Sequence, residues 1–506
     1  MTLDWQRATE VAQSITAQWQ GEGQPGGAIA LFDGNQLRAL SCGGLADLAQ
    51  GTPFSADSVV RFASVTKHLF ASLVTGPLAD VIALDDRLAQ HLPQLRGPSG
   101  QVSVGQALDM TAGLHDLRET LSLLGLSVYN ATQSADLLAF VAALDKLNYP
   151  AGSEISYSNT GYRLVEEALK AKGILFAECL QQHICQPLDI HLWAPETWFD
   201  IVPELVPGYW RSDNGWQLAS AGLHLSASGS VAGSVRDLSV WLQTLLRDEG
   251  PGRGVLARLT APRRLTDGRV TGYGLGIAHS RFGNAHWVGH GGSHAGYKSY
   301  FLLDPQQGVG LALVANREDV STYDCALRIM AALTGQALPQ PGHALMPGLY
   351  VAESGSEWLE ISGNNACWLG ATETLYPSED GAISLSSHLP MQLRQNGAVI
   401  EGEIGHAAKR FVLPHRDDSL AQAQGRWFCP EWRSEWVIEG DRLVMGIGPS
   451  APVASLECLG QGRLLAIAQD GPWEKRFALH IEGNNMTFLL NRSRVVTARR
   501  GDVHWA

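Results

Sequence analysis

This chain has few cysteines, no long apolar run and no excess of positive charge. Each of these features excludes a class of protein. The seven cysteines among 506 residues are scattered and odd in number, so we expect reduced thiols and not a disulfide framework. No uncharged apolar run approaches the roughly 18 residues that a transmembrane helix requires. The formal net charge of −13 argues against a nucleic acid or an anionic membrane surface as a partner.

The N-terminal residues lack the basic patch and apolar core of a signal peptide. They carry instead an amphipathic stripe over residues 5–19, so we expect no signal peptide and a cytoplasmic location. A length of 506 residues is too great for one hydrophobic core and suggests two to four domains.

Lysine is also scarce, with seven lysines against 30 arginines, and Lys67 alone has a serine, Ser64, three residues before it. Residues three apart on a helix lie one turn apart on the same side, so the hydroxyl and the amine can touch. A buried amine can give up its proton and accept another, which a guanidinium cannot do in proteins. A serine beside such an amine is an activated nucleophile. The alternative is a helix N-cap serine followed by a solvated lysine.

Two further elements accompany this Ser-x-x-Lys pair. Tyr157-Ser158-Asn159 precedes a helical run, and His290-Gly291-Gly292 lies between two strand-like stretches. The order Ser-x-x-Lys, Tyr-x-Asn, His-Gly-Gly, at intervals of roughly 95 and 130 residues, resembles the serine β-lactamase and penicillin-binding-protein family, in particular its class C-like branch. The resemblance covers residues 1 to about 335.

The resemblance implies that Ser64 is a nucleophile that forms an acyl-enzyme. Lys67 and Tyr157 are both candidate proton acceptors, because burial lowers the pKa of a lysine and a nearby positive charge lowers the pKa of a tyrosine. Coupled groups share protons, so the choice of base stays open between the two. Asn159 is implied to hold the lysine amine or the substrate amide.

The oxyanion that develops during acylation requires two fixed N–H donors. The backbone N–H of Ser64, at a helix start, is implied to be one of them. The second is expected just after His290-Gly291-Gly292, at Ser293. Gly291 and Gly292 would let the strand edge approach the substrate, because no side chain lies in the way.

His290 departs from the commonest pattern of the family, Lys-Thr-Gly, in which the lysine is permanently charged. A histidine is mostly neutral at pH 7, which weakens the binding of a C-terminal carboxylate and favours amide, ester or more distant carboxyl groups. The same substitution occurs in the bacterial D-aminopeptidases, which hold the free amino group of an N-terminal D-residue. Asp470, on a Gly-Pro turn, is the candidate carboxylate for that ammonium, and the alternative is an ordinary turn residue.

The predicted fold class is α+β. Residues 1–335 are expected to form a β-lactamase/penicillin-binding-protein-like catalytic domain, and two small antiparallel β-barrels are expected at residues 336–419 and 420–506. A weak repeat supports the barrels, because Gly348-Leu-Tyr echoes Gly425-Arg-Trp at an offset of 77 residues. In the D-aminopeptidases a loop of the last barrel reaches the catalytic cleft, and the resemblance implies the same here.

A metal site is the alternative use of the histidines in this region. His286, His290 and His294 recur every four residues, which on a helix would place three imidazoles on one face. The glycines among them oppose a helix, and on a strand positions four apart span about 13 Å. We therefore expect no metal site, and no cofactor is implied.

The leading functional hypothesis is a serine aminopeptidase that releases N-terminal D-amino acids, such as D-alanine, from peptides and amides. Its rival is an esterase or a D-amino-acid amidase with the same catalytic residues. A third hypothesis, of a different class, is a peptidoglycan-fragment binder that is acylated once and does not turn over. The expected partner is a small peptide or amide substrate, and the oligomeric state stays open, a homodimer included.

Overall fold

The chain folds into three bodies that follow one another in the sequence. The computed structural model describes residues 2–415, 417–446 and 448–501. The N-terminal domain combines a six-stranded antiparallel sheet with helices, and the two bodies after it are closed eight-stranded antiparallel barrels. The prediction of an α+β chain with two C-terminal antiparallel barrels is confirmed.

Most helices of the N-terminal domain lie between the second and the tenth strand. They are α1 (Trp5–Ala17), α2 (Thr66–Val74), α3 (Leu88–His91), α4 (Pro98–Gln101), α5 (Val104–Leu108), α6 (Leu117–Leu123), α7 (Ser134–Leu144), α8 (Asn159–Lys170), α9 (Phe176–Leu180), α10 (Gln186–Leu188), α11 (Val235–Arg247), α12 (Val255–Thr260) and α13 (Thr322–Thr334). Short 3-10 turns occupy Ala63–Val65 and Gly250–Gly252, and a π-helical turn occupies Gln181–Cys185.

The strands of this domain form one main sheet and three small ones. They are β1 (Gly27–Asp33), β2 (Leu37–Gly43), β3 (Leu45–Asp47), β4 (Thr52–Pro53), β5 (Val60–Arg61), β6 (Leu192–Trp193), β7 (Tyr209–Ser212), β8 (Gly215–Leu218), β9 (Ala232–Gly233), β10 (Ala278–Phe282), β11 (Ala285–His294), β12 (Tyr297–Asp304) and β13 (Val309–Ala315). The main sheet has the order β10-β11-β12-β13-β1-β2, so the first strand of the domain pairs with the last.

Strand β1 shows why the main sheet is covered on both faces. Its apolar run does not alternate with polar residues, as expected for a strand without a solvent-facing side. Ala30 and Phe32 belong to the core shared with α2 and α11, whereas Ile29 and Leu31 pack with α1 and α13. The nucleophile helix α2 therefore lies in the larger of the two cores, on one face of the sheet.

The two barrels have the same topology, with eight strands paired in the order of the sequence. The first contains β14 (Gly348–Ala352), β15 (Trp358–Ser362), β16 (Asn365–Trp368), β17 (Ala371–Ser378), β18 (Gly381–Ser384), β19 (Met391–Asn396), β20 (Val399–Ile404) and β21 (Ala407–Val412). After α14 (Ser419–Ala423), the second contains β22 (Gly425–Cys429), β23 (Ser434–Glu439), β24 (Arg442–Met445), β25 (Val453–Gly460), β26 (Arg463–Asp470), β27 (Trp473–Glu482), β28 (Asn485–Leu490) and β29 (Ser493–Arg500), with a 3-10 turn at Pro430–Trp432. In each barrel the last strand pairs with the first.

The sequence repeat falls on equivalent strands of the two barrels. Its two copies lie on β14–β15 and β22–β23, where Trp358 and Trp436 are both fully buried. The predicted boundaries at residues 335/336 and 419/420 stay predictions.

Both barrels pack against the N-terminal domain. The backbone N–H of Ile155 donates to the carbonyl of Gly405 in the first barrel (3.0 Å), and Trp436 Nε1 of the second barrel donates to the carbonyl of Leu123 (3.0 Å). Leu465 and Leu489 of the second barrel extend the core of the first. Helix α6 is therefore in contact with the second barrel. Among the described residues, none of the helices is long and apolar enough to cross a bilayer.

Candidate active site

Ser64 lies in the 3-10 turn Ala63–Val65, which leads from strand β5 into helix α2. Ala63 has a φ of 50°, a left-handed conformation that costs a residue with a Cβ on the order of 1 kcal/mol. Every residue of α2 is buried, so the surrounding core holds the turn in this conformation. The turn presents Ser64 at the start of a buried helix, where backbone N–H groups lack intrahelical partners.

Lys67 is fully buried one turn after Ser64, with 0% of its surface exposed. Its Nζ lies 3.0 Å from Ser64 Oγ, 2.8 Å from Asn159 Oδ1 and 2.6 Å from the carbonyl oxygen of Ser228. The amide and carbonyl oxygens can only accept hydrogen bonds. A neutral lysine amine has two N–H donors, and these two oxygens take both. Its lone pair is then directed at Ser64 Oγ, as a proton acceptor requires.

The electrostatic surroundings of Lys67 favour this neutral form. Burial lowers the pKa of Lys67 well below its ordinary value, and the guanidiniums of Arg492 and Arg118 lower it further, although the carboxylate of Asp116 acts in the opposite direction. Of the two candidate bases, Lys67 and Tyr157, the 3.0 Å contact with Ser64 Oγ and the burial of the amine favour Lys67.

Tyr157 is buried beside this pair, with the Nζ of Lys67 4.7 Å from its ring centroid. Burial raises the pKa of its phenol well above the ordinary value, while the guanidinium of Arg492 acts in the opposite direction. Its hydroxyl has no hydrogen-bond partner within the described parts of the chain. The raised pKa keeps the phenol protonated at neutral pH, so Tyr157 is not the base of the resting site, and its hydroxyl is free to hydrogen-bond to a reacting group.

Both barrels contribute a side chain that packs on Tyr157. His388 of the first barrel meets its ring edge-on at 5.1 Å, and the guanidinium of Arg492 of the second barrel lies 4.7 Å from its centroid. Burial, followed by Arg492 and Lys67, lowers the pKa of His388 to about 3, so that imidazole is neutral. Neither residue was predicted from the sequence.

Asn159 is held in place by Asp116, another residue that sequence reasoning missed. Asp116 Oδ2 accepts hydrogen bonds from the backbone N–H (2.9 Å) and the side-chain Nδ2 (2.8 Å) of Asn159. These bonds orient the amide so that its oxygen faces Lys67. Burial alone would raise the pKa of Asp116, yet Arg492 and the donated hydrogen bonds lower it below its usual range, so the carboxylate stays ionised.

His290 has both ring nitrogens occupied. Nδ1 lies 2.6 Å from the carbonyl oxygen of Gly291, which can only accept, so this nitrogen carries the proton. In the neutral ring Nε2 then accepts from the hydroxyl of Tyr273 at 2.8 Å. Burial and the proximity of Lys67 lower the pKa of His290 well below its ordinary value, in agreement with the expected neutral imidazole. Its ring therefore orients the strand and leaves substrate contacts to other groups.

The two glycines after His290 have a different reason from the one expected. A Cβ on Gly292 would lie 2.0 Å from the carbonyl oxygen of Phe62 and 3.0 Å from the backbone nitrogen of Ser64. A Cβ on Gly291 would lie 2.8 Å from the ring of Tyr300. The lack of a side chain at Gly292 thus lets strand β11 approach the nucleophile turn, and the lack of one at Gly291 makes room for the ring of Tyr300 on β12.

Ser293 follows these glycines and lies exposed at the cleft, where its hydroxyl accepts from Lys298 Nζ at 2.7 Å. Strand β10 pairs with β11 only over Ala285–Gly289 among the described strands. The outer edge of β11 near Ser293 therefore carries no neighbouring strand, which leaves its backbone polar groups available to a ligand.

Asp470 is not brought into the cleft. Its carboxylate accepts from Ser127 Oγ (2.7 Å) and from the backbone N–H of Val128 (3.0 Å), and it pairs with Lys475. These contacts make Asp470 an anchor between the second barrel and the loop after α6. The structure gives it no free oxygen aimed at Ser64, which argues against the predicted role as ligand for a substrate ammonium.

The three histidines that raised the question of a metal site take separate partners. His286 Nε2 lies 2.8 Å from Nδ1 of His279, His290 contacts Tyr273, and His294 Nε2 lies 2.7 Å from the carbonyl oxygen of Gly229.

Ser64 opens into a cleft of about 410 Å³ between the N-terminal domain and the second barrel. The N-terminal domain lines it with Ser64, Asn159, Ser293 and parts of α6, and the second barrel with residues 473–476 and 490–492. The loop of the last barrel thus reaches the cleft, but through residues other than the predicted Asp470.

The segment 491–493 of the second barrel is hydrogen-bonded into the N-terminal domain. The backbone N–H of Arg492 donates to Glu119 Oε2 (2.8 Å), and its carbonyl accepts from the backbone N–H of Asp116 (2.8 Å). Next to it, Ser493 Oγ lies 2.7 Å from Thr120 Oγ1. These bonds fix the backbone of Arg492 beside the nucleophile.

Glu119 makes this anchoring dependent on pH. Burial raises the pKa of its carboxyl from 4.5 to about 7, although Arg492 opposes the rise. Between these values the unfolded state binds fewer protons than the folded state, so the contribution of Glu119 to the free energy of unfolding falls as the pH rises. We expect the variant Glu119→Gln to gain roughly 1–3 kcal/mol over the wild type between pH 5 and pH 8.5, measured by thermal unfolding at both values.

The variant Glu119→Ala is the control for this prediction. It also removes the acceptor of the Arg492 N–H, so it should be less stable than Glu119→Gln at both pH values. An equal stability difference between Glu119→Gln and the wild type at pH 5 and pH 8.5 would contradict the assignment.

The beta-lactamase family profile matches residues 11–336, more than half of the chain. The chain belongs to the beta-lactamase family. The matched residues include Ser64, Lys67, Tyr157, Asn159 and His290, whereas His388 and Arg492 lie beyond them. Sequence patterns typical of a beta-lactamase domain therefore gave no signal for the two barrel residues.

Among known proteins, the D-aminopeptidase of Cereibacter sphaeroides is 24% identical over 345 residues, which cover 67% of this chain and 65% of that protein. The match thus spans just under two thirds of the length of that relative. The octameric penicillin-binding protein homologue from Pyrococcus abyssi superimposes with a TM-score of 0.56 at 17% sequence identity. The match covers 97% of this chain and 99% of the Pyrococcus abyssi chain. The D-amino acid amidase from Ochrobactrum anthropi SV3 superimposes with a TM-score of 0.55 at 19% sequence identity. The match covers 65% of this chain and 98% of the amidase chain.

Proposed function

We propose that this protein is a serine hydrolase that acylates Ser64 and releases N-terminal D-amino acids from small peptides and amides. The observation that carries the proposal is the set of three contacts at Lys67 Nζ, which directs the lone pair of a buried amine at Ser64 Oγ. The D-stereospecific part rests on the similarity to the D-aminopeptidase of Cereibacter sphaeroides.

Acylation follows from this geometry. Ser64 Oγ attacks the carbonyl carbon of the scissile bond while Lys67 Nζ takes the hydroxyl proton. Tyr157, which is protonated, gives its proton to the leaving nitrogen, and the Lys67 ammonium then re-protonates the phenolate. Hydrolysis of the resulting ester by water restores the free hydroxyl of Ser64.

The oxyanion of the tetrahedral intermediate forms next to the N-terminal end of α2. We assign its two donors to the backbone N–H groups of Ser64 and Ser293, which each contribute roughly 3–4 kcal/mol in sites of this kind. The contact between Gly292 and the nucleophile turn supports this assignment, because it sets the spacing between the two backbone segments.

Paired substrates test the proposed activity. We expect D-alanine p-nitroanilide to be hydrolysed with a kcat/KM at least about 100-fold above that of L-alanine p-nitroanilide. Equal turnover of the two stereoisomers would contradict the D-specific part of the proposal. No turnover of either, combined with fast hydrolysis of a simple p-nitrophenyl ester, would favour the esterase alternative.

Two other hypotheses are separated by the same assays. A D-amino-acid amidase would hydrolyse D-alaninamide and leave D-alanyl peptides intact. A peptidoglycan-fragment binder would release one equivalent of product and then stop. The possible homodimer and the cytoplasmic location stay predictions. Light scattering tests the oligomeric state, and cell fractionation tests the location.

A further inference from the structure

Two arginines face the cleft without a hydrogen-bond acceptor. The guanidinium of Arg118, on α6, stacks on the ring of Trp473 at 4.9 Å, and that of Arg492 stacks on the ring of Tyr157 at 4.7 Å. Neither guanidinium donates a hydrogen bond to any residue that the structure describes. Stacking occupies the flat faces and leaves the N–H edges directed elsewhere.

The nearest carboxyl to Arg492 does not satisfy it. Its Nε lies 3.9 Å from Glu119 Oε1, which is beyond hydrogen-bond distance. That carboxyl titrates at about 7, so it is half-protonated at neutral pH and a weak counter-ion. The other nearby carboxylate, Asp116, already accepts hydrogen bonds from Asn159 and from the backbone of α6. A guanidinium has five donors, so both arginines keep donors available to a ligand in the cleft.

The other cations of the cleft are all engaged. Arg163 donates to the carbonyl of His224, Lys475 pairs with Asp470, and Arg476 pairs with Glu360. Among the charged lining residues the cations exceed the carboxylates, five to three, in a chain whose net charge is −13: Arg118, Arg163, Lys475, Arg476 and Arg492 against Asp116, Glu119 and Glu474. Asp470 and Glu360, which lie outside the lining, neutralise Lys475 and Arg476, so the cations left free to attract an anion are Arg118 and Arg492.

Arg492, one of the two unpaired arginines, lies close to the groups that are proposed to react. The ring under Arg492 is that of Tyr157, which lies beside Ser64 and Lys67. An anion held by Arg492 is therefore close to the scissile bond. His290, which replaces the charged lysine of related proteins, is neutral with both nitrogens occupied and offers no charge of its own. The unpaired cations of this cleft lie instead on α6 and on the second barrel.

We propose that Arg118 and Arg492 together bind a carboxylate of the substrate, so that this hydrolase prefers anionic substrates over neutral ones. The inference rests on the proposed function and refines its substrate class. The carboxylate has two sources, the side chain of an acidic N-terminal D-residue or the C-terminus of the leaving group. Arginine suits either source, because its fork of N–H groups matches the two oxygens of a carboxylate.

Isosteric substrate pairs distinguish the two sources. D-glutamic acid α-p-nitroanilide against D-glutamine p-nitroanilide tests the acyl side, and D-alanyl-glycine against D-alanyl-glycinamide tests the leaving side. We expect the carboxylate of at least one pair to raise kcat/KM by on the order of 10-fold to 100-fold, the range for a hydrogen-bonded charge. The variants Arg118→Gln and Arg492→Gln should each lower that preference at least about tenfold.

Arg476→Gln is the matched control, since it removes one cation from the same cleft but one that is already paired with Glu360. Its preference should stay within about twofold of the wild type. Thermal unfolding of all three variants shows whether they are folded. A variant Arg492→Lys, which keeps the charge and loses the fork, should retain part of the preference.

Binding to the variant Ser64→Ala separates this inference from the proposed function. Calorimetry with the same four compounds requires no turnover. The carboxylated compound of the favoured pair should bind more tightly than its neutral partner, by the same factor of on the order of 10-fold to 100-fold. The inference is overturned if neither pair shows a preference, or if the preference survives both arginine substitutions. Hydrolysis of D-alanine p-nitroanilide in that case leaves the proposed function intact.

Discussion

Replacing Ser64 with alanine is expected to abolish hydrolysis, with a loss in kcat of about 10⁴-fold to 10⁶-fold, as for other serine nucleophiles that act as a unit with their base. The reason is that no other hydroxyl is in contact with Lys67 Nζ among the described residues. Steady-state kinetics on D-alanine p-nitroanilide measure the loss. Folding should be retained, because Ser64 lines the cleft and its side chain is not part of a hydrophobic core.

Ser122 supplies the control for this prediction. Its hydroxyl lines the same cleft and accepts from Lys475 at 2.5 Å, away from the nucleophile turn. The variant Ser122→Ala should keep kcat within about threefold of the wild type. Substantial activity in Ser64→Ala, well above that expected from contaminating enzyme, would overturn the whole assignment of the site.

Replacing Lys67 with arginine is expected to have the second-largest effect, a loss in kcat/KM of about 10³-fold or more at every pH. In the wild type, burial lowers the pKa of Lys67 and so favours the neutral amine, and activity should fall with decreasing pH as the amine gains a proton. An arginine keeps the positive charge but cannot deprotonate, so raising the pH should not rescue the variant. The pH dependence of kcat/KM measures both effects.

Lys298→Arg is the control, since Lys298 forms an ion pair with Glu318 (2.9 Å) and its ammonium contacts the hydroxyl of Ser293, not the backbone N–H that we assign to the oxyanion. It should retain the wild-type pH profile. Recovery of activity by Lys67→Arg at high pH would show that Lys67 is not the base and would return that role to Tyr157.

The local patterns of the sequence were enough to predict that Ser64, Lys67 and Asn159 lie together. Ser64 and Lys67 are one helical turn apart, so a short motif was enough to pair them, and the contact with Asn159 shows that the separate motifs meet in space. Asp116 could be seen only as a helix N-cap, since its side chain accepts from the N–H of Glu119 at the start of α6. Its second role depends on long-range packing, which local patterns do not report.

The barrels were predictable as a repeat, but their contribution to the site was not. Asp470 was chosen from its turn composition, and the hairpin of β26 and β27 instead aims it at Ser127 and Val128. Arg492 lies in the turn between β28 and β29 and reaches Tyr157 because the second barrel docks against α6. The orientation of a barrel on its neighbour is set by packing between distant surfaces, so neither outcome could be derived from the turns alone.

The most direct test of the account is the mass of the protein during turnover. D-alanine p-nitrophenyl ester is mixed with the enzyme, the reaction is stopped with acid within the first turnovers, and the intact protein and its peptides are weighed. The account predicts a fraction of the chain heavier by one D-alanyl group, with the added mass on the peptide that contains Ser64 and none in Ser64→Ala. An acyl group on another residue, or product formation with no acylated protein at any time, would contradict it.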